Sequence, residues 1–234
     1  MGIIGNKIIT KAKKKQQLEI IKDNLILNLD AGNTGSYPGN GTIWYDISEK
    51  GNTNLNLSNN VSYENGYLLF NNSQAYNDTT NFGLGTEDFS IETWSYRDKI
   101  YPAGAYYQTI FTLNMPGNGI GIRCSQPNND NYYWVSNNFT TFTITDNLYT
   151  WKQFVLTKSG TSLIFYVNSA LWSTANIPPN TSIANGSLRV GKSNHDGSEY
   201  WSGRISIVRI YKGKALTGAE VLQNFNAIKS RYGL

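Results

Sequence analysis

The densest run of acids in a strand-like segment is Glu87-Asp88-Phe89-Ser90-Ile91-Glu92, and paired carboxylates are the minimal equipment for cutting a glycosidic bond. On an extended strand rising about 3.3 Å per residue, Asp88 and Glu92 share a face about 13 Å apart, with Ser90 between them. Glu87 points to the other face. That separation exceeds the roughly 5–9.5 Å that retaining or inverting hydrolysis uses, so no hydrolase is expected. Nucleophilic catalysis has no better footing. The single histidine, His195, lies in the polar stretch SNHDGSEYW, and the single cysteine, Cys124, follows GIGIR. Neither sits in a nucleophile–base arrangement; His195 reads as a loop residue and Cys124 as a small buried hydrophobe.

Hard oxygen donors suited to calcium cluster twice: Asn194, Asp196 and Glu199 in one stretch, and Asn128, Asn129 and Asp130 in another. Neither repeats the spacing of a dedicated calcium loop. The first set is retained as a candidate metal site, with calcium as the cation. Sugar recognition needs rings beside amide and carboxylate groups at a loop rim. Tyr132, Tyr133 and Trp134 adjoin NNDN, Tyr106 and Tyr107 close YPAGAYY, and Tyr200 follows NHDGSE. These six are the candidate glycan contacts.

The chain of 234 residues holds 30 Asn, 22 Gly, 20 Ser and 20 Thr, with 16 Tyr and 6 Trp. Turn formers and aromatics with few helix formers describe many short strands joined by polar loops. A single cysteine excludes a disulfide framework. No run approaches the ~18 apolar residues of a membrane span, so no membrane insertion is expected. The net charge of +4 is segregated: residues 1–22 carry +5, residues 23–203 carry −6, and residues 204–234 carry +5. The acidic body argues against a nucleic-acid partner. The opening MGIIGNKIITKAKKKQQLEIIK places lysines after its apolar patch and lacks the hydrophobic core of a secretion signal. Residues 1–23 therefore read as a basic arm, with Lys7, Lys11, Lys13, Lys14 and Lys15 as partner contacts, and residues 24–234 as one domain.

Several elements position these groups. LILNLD alternates as a half-buried strand, FSIETWSY is a strong strand, and WKQFVLTKSGTSLIFYVNSALWS reads as a three-stranded meander. In the last strand, plain alternation places Ile205, Ile207 and Arg209 on one side and Ser206, Val208 and Ile210 on the other. Thr217-Gly-Ala-Glu220 is a capping box, and Val221, Phe225 and Ile228 recur at helical spacing. About a dozen strands and one terminal helix predict an all-β, two-sheet antiparallel sandwich of jelly-roll type.

In this order, LNLDAGN, WYDIS, GYLLFN, EDFSIETW, WKQFVLTKSGTSLIFYVN, LRVGKS and YWSGRISIVRIYKGKALTGAEVLQNF resemble the laminin G-like domains of the concanavalin A-like lectin/glucanase superfamily. The ending G-x-I-x-x-V-R-I-Y followed by A-L-T-x-x-E is the most specific part. The resemblance implies Trp94, Trp151 and Trp201 packed between sheets, an ion at the rim in many members, and catalytic strands of form E-x-D-x-E in the hydrolase members, which this chain lacks. With NAIKSRYGL after the helix, it looks like the free-standing domains of tailed-phage structural proteins. The expected role is a non-enzymatic virion protein, a capsid decoration or a tail or fibre component, docked on other virion proteins and open to self-association as a homo-oligomer. A lectin for host-surface polysaccharide is the alternative, and a glycoside hydrolase stands third.

Overall fold

A computed structural model describes residues 18–234 apart from 52, 99–106, 116, 126–130, 136–137, 143–147 and 195–198, with backbone alone at 125, 131–134 and 138–142. The strands begin with β1 (Leu25–Asp30), β2 (Ile43–Trp44), β3 (Leu55–Leu57), β4 (Ser62–Glu64), β5 (Tyr67–Asn71) and β6 (Ala75–Thr80). They continue with β7 (Phe89–Arg97), β8 (Tyr107–Leu113), β9 (Ile120–Ser125), β10 (Asn131–Val135) and β11 (Asn138–Phe142). The last are β12 (Trp151–Ser159), β13 (Ser162–Val167), β14 (Ala170–Asn176), β15 (Gly186–Val190) and β16 (Ser202–Lys212), followed by helix α1 (Gly218–Ile228). Among the described residues no helix is long and apolar enough to cross a membrane.

The strands form two antiparallel eight-stranded sheets. The first runs β14-β13-β12-β7-β16-β5-β4, with β1 also paired to β16; the second runs β11-β10-β9-β8-β15-β6-β3-β2. The expected meander is the β12-β13-β14 end of the first sheet, and its second turn uses Asn168 and Ser169 at φ 49° and 65°, the paired left-handed residues of a tight hairpin. Between the sheets lies one apolar core, in which Leu27, Leu29, Phe70, Phe89, Ile91, Phe111, Ile122, Cys124, Phe165, Leu188 and Trp201 are buried. Cys124 is thus part of that core, as its strand position predicted.

Two expectations fail for identifiable reasons. Plain alternation along β16 is interrupted by a bulge between Ile205 and Ile207. An extra residue shifts the faces beyond it, so Ile205 shares the core with Val208 and Ile210 while Ile207 and Arg209 face outward. Trp94 and Trp151 do not pack between the sheets. Trp94 alternates outward with Glu92 and stacks 5.6 Å from Phe225 of α1, and Trp151 stacks 4.2 Å from Tyr232 after the helix. Of these three tryptophans, Trp201 alone joins the inter-sheet core.

Helix α1 begins as predicted: Thr217 accepts from the Glu220 amide and Glu220 reaches back to the Thr217 amide. It covers the outer face of the first sheet through Val221, Phe225 and Ile228. The segment Leu18–Lys22 is not helical, and it is joined to the domain. The Ile21 amide donates to Asn224 Oδ1 at 2.8 Å, and Ile20 and Ile21 pack against the helix-side clusters. Packing contacts of the domain therefore start within the segment assigned to the arm. Lys7, Lys11, Lys13, Lys14 and Lys15 lie outside the described residues.

Candidate functional site

Polar side chains gather on both outer faces of the sandwich. On the first sheet, strand alternation turns Ser90, Glu92 and Trp94 of β7 outward, and α1 closes over them. Glu92 is fully buried and accepts four hydrogen bonds: from Asn224 Nδ2 at 2.8 Å, Trp94 Nε1 and Gln153 Nε2 at 2.9 Å, and Arg209 Nη1 at 3.2 Å. Arg209 donates its Nε to Asn28 Oδ1 at 3.0 Å, and Asp30 holds Arg231 in turn. Burial opposes the Arg209 charge, but Glu92, Tyr211 and Asp30 outweigh it and hold the guanidinium above its ordinary range. A buried ion pair survives only when further hydrogen bonds satisfy its remaining valences, and here Asn28, Gln153 and Asn224 supply them. Asp88 accepts from the Gly160 amide at 2.7 Å and Ser159 Oγ at 3.1 Å, which fixes the β12–β13 turn. Glu87 pairs with Lys212 at 3.5 Å, so each of the three acids of the run has a structural task, one beneath the helix, one at a turn and one in an ion pair.

The second sheet carries a different cluster. Arg123 of β9 alternates with the core residues Ile122 and Cys124, so it stands on the outer face. Its Nη1 donates to both oxygens of Glu199, at 2.9 and 3.1 Å, with both side chains buried. The same guanidinium lies 4.6 Å from the ring centroid of Tyr107 on β8. Tyr132 of β10 pairs with Arg123 in backbone register. Lys192 bridges to Tyr200, with its ammonium 4.8 Å from that ring. The Ser193 amide donates to the Glu199 carbonyl at 3.0 Å. Asn194 donates Nδ2 to the Ser187 carbonyl at 2.8 Å. Among the described residues, buried Arg123 Nε and Asn194 Oδ1 have no hydrogen-bond partner. An orphaned buried donor or acceptor costs on the order of 1–3 kcal/mol.

The fold therefore brings together Tyr107, Asn194, Glu199 and Tyr200, four of the residues singled out from sequence. The backbone of Tyr132, Tyr133 and Trp134 runs on β10 beside β9. Tyr106 and Asp196 lie outside the described residues, as do Asn128, Asn129, Asp130 and His195. The described part of the calcium set does not fit a cation: Glu199 spends both oxygens on a guanidinium. Among the described residues no three His, Cys, Asp or Glu side chains meet as a metal site. Sequence reading missed Arg123 and Lys192. The available signal was a charge in GIGIRC at a position whose neighbours alternate into the core.

Comparison with known proteins agrees with this architecture. A laminin G-type family profile, described as the concanavalin A-like lectin/glucanases superfamily, matches residues 71–222. No curated protein sequence matches. Among solved structures, the binding domain of botulinum neurotoxin DC in complex with rat synaptotagmin II aligns with a TM-score of 0.69 at 16% identity, covering 89% of this chain and 52% of that one. The binding domain of Paraclostridial Mosquitocidal Protein 1 gives 0.67 at 16% identity, with 88% and 52% covered. Trypanosoma rangeli sialidase in complex with the inhibitor DANA gives 0.65 at 15% identity, with 86% and 32% covered. Identities this low establish a shared fold. The chain spans about half the length of the toxin binding domains and about a third of the sialidase.

Proposed function

Because the chain belongs to the laminin G-like branch of the concanavalin A-like lectin/glucanases superfamily, we propose that it is a non-catalytic recognition module of a virus particle. In this reading the basic segment of residues 1–22 seats it on acidic virion protein, and the outer face of the second sheet meets host-surface polysaccharide. The observation that carries the reading is the convergence of Tyr107, Arg123, Glu199, Lys192 and Tyr200 on one face. Rings cover the apolar faces of sugars, and fixed donors and acceptors select hydroxyl positions. The unpartnered Arg123 Nε is a donor suited to a hydroxyl oxygen. Binding rather than bond cleavage is favoured by the acids themselves: Glu92 is filled by four donors under α1, and Glu199 is filled by Arg123.

The virion half of the reading rests on the segregated charge and on the resemblance of NAIKSRYGL to phage structural domains. A positive segment attached to an acidic body suits an acidic docking surface, with attraction that weakens as salt screens it. The toxin binding domains of the same fold make a recognition role the natural one. A glycan array read with and without chelator tests the sheet face. Binding that survives the chelator and is lost in Tyr200→Ala is expected; silence under both conditions overturns the polysaccharide half and leaves a purely structural protein. Deleting residues 1–17 is expected to abolish particle association with the fold intact, and retained association contradicts the docking half.

A further inference from the structure

Four Asn-Gly pairs occur in the chain, and their surroundings differ sharply: Asn40-Gly41, Asn65-Gly66, Asn118-Gly119 and Asn185-Gly186. We infer that Asn40 is a site of spontaneous, self-catalysed modification, in which the exposed Asn40-Gly41 pair deamidates through a cyclic imide while the other three are held back by the fold.

The chemistry needs only the chain and water. The Gly41 backbone nitrogen loses its proton and attacks Asn40 Cγ, forming the new C–N bond of a five-membered imide. The Cγ–Nδ2 bond breaks, and the nitrogen leaves as ammonia with the proton taken up. Water then opens either imide carbonyl to give aspartate or isoaspartate. Glycine favours the attack because it has no Cβ to obstruct the approach.

The first pair is open and unengaged. Asn40 and Gly41 are both exposed, and nothing lies within 4 Å of the position a Gly41 Cβ would take. Among the described residues no hydrogen bond uses the Asn40 side chain or the Gly41 amide. The Gly41 carbonyl alone is tied, accepting from Tyr37 Oη at 2.9 Å. At the second pair, Asn65 and Gly66 form the β4–β5 turn at φ 46° and 90°, and the Gly66 carbonyl accepts from buried Ser206 Oγ at 2.7 Å. At the third, the attacking nitrogen is engaged: the Gly119 amide donates to the Gly117 carbonyl at 2.8 Å, and the Asn118 carbonyl accepts from the Ala184 amide at 2.7 Å. At the fourth, Asn185 Oδ1 accepts from the Gly83 amide at 2.8 Å and Gly186 is paired with Thr80 across β15 and β6.

The product places a new carboxylate beside Tyr37, whose ring packs 5.2 Å from Tyr63. The isoaspartate form also lengthens the main chain inside the loop that Tyr37 Oη closes onto Gly41. Each conversion lowers the net charge by one, so aged protein separates into charge forms.

The test is peptide mapping by mass spectrometry after incubating the full chain at mildly alkaline pH, with a parallel sample in denaturant. The folded chain is expected to gain the amide-to-acid mass change at Asn40 about tenfold faster than at any other pair, a ratio equal to about 1.4 kcal/mol of local opening. The denatured chain is expected to convert all four pairs at similar rates, and Asn40→Gln is expected to remove the new charge form. Equal conversion of the four pairs in the folded chain would overturn the inference. So would an inert Asn40 in the folded chain alongside a reactive one in denaturant.

Discussion

Replacing Glu92 with Gln removes the charge at the centre of the buried network while keeping its shape. Arg209 then stands fully buried with only distant Asp30, at 3.9 Å, as a carboxylate partner. The glutamine amide also turns donor protons toward a pocket already lined by donors from Asn224, Trp94 and Gln153. Removing one partner of a buried pair costs about 3–5 kcal/mol. For a chain of this size each kcal/mol shifts the melting temperature by about 2–4 °C, so a fall of about 6–20 °C is expected. Urea unfolding should show a lower midpoint at unchanged m, since the surface exposed on unfolding is the same. The double change Glu92→Leu with Arg209→Met should cost less than the sum of the single changes, because no uncompensated charge remains. A loss below about 1 kcal/mol in Glu92→Gln, the level of an exposed pair, would refute the burial and bonding described for this residue.

Three further outcomes follow from the same structure. Thr217→Ala should lower stability by about 1 kcal/mol through loss of the capping box, read from the urea midpoint. Burial pushes the Tyr232 phenol up to about 12 from its ordinary value of 10.0. The unfolded chain therefore loses this proton first, so its contribution to stability is constant below about pH 10 and falls by about 3 kcal/mol between pH 10 and 12. Tyr232→Phe should flatten that alkaline decline in pH-dependent melts. Arg123→Met should leave Glu199 buried without its cation, lowering the melting temperature and abolishing any glycan binding, while Lys212→Met on a different rim should do neither.

What could be read from sequence was what is local. Alternation in Leu25–Asp30, the meander from Trp151 to Asn176 and the Thr217–Glu220 cap depend on neighbours in the chain, and they appear where expected. A one-residue bulge leaves no such trace, which is why the faces of Ile207 and Arg209 were assigned wrongly. Trp94 packs outward because the cover over its face, Phe225 of α1 and Tyr232 just after it, comes from more than a hundred residues away. The same holds on the outer face of the second sheet. Tyr107 and Tyr200 stand out as rings beside polar loops, but the residue that joins Tyr107 to Glu199 is Arg123, 76 positions from its partner. Alternation places Arg123 outward; nothing in its neighbourhood announces the acid it meets.

The proposed recognition depends on one surface of the second sheet. Backbone and side-chain NMR of the protein titrated with a polysaccharide-derived oligosaccharide selected by array reads it directly. Shifts confined to Tyr107, Arg123, Lys192, Asn194, Glu199 and Tyr200, with Glu92, Arg209 and Asn224 unmoved and the oligosaccharide recovered intact, are the predicted result. Shifts centred on the face beneath α1, or a shortened oligosaccharide, would contradict it.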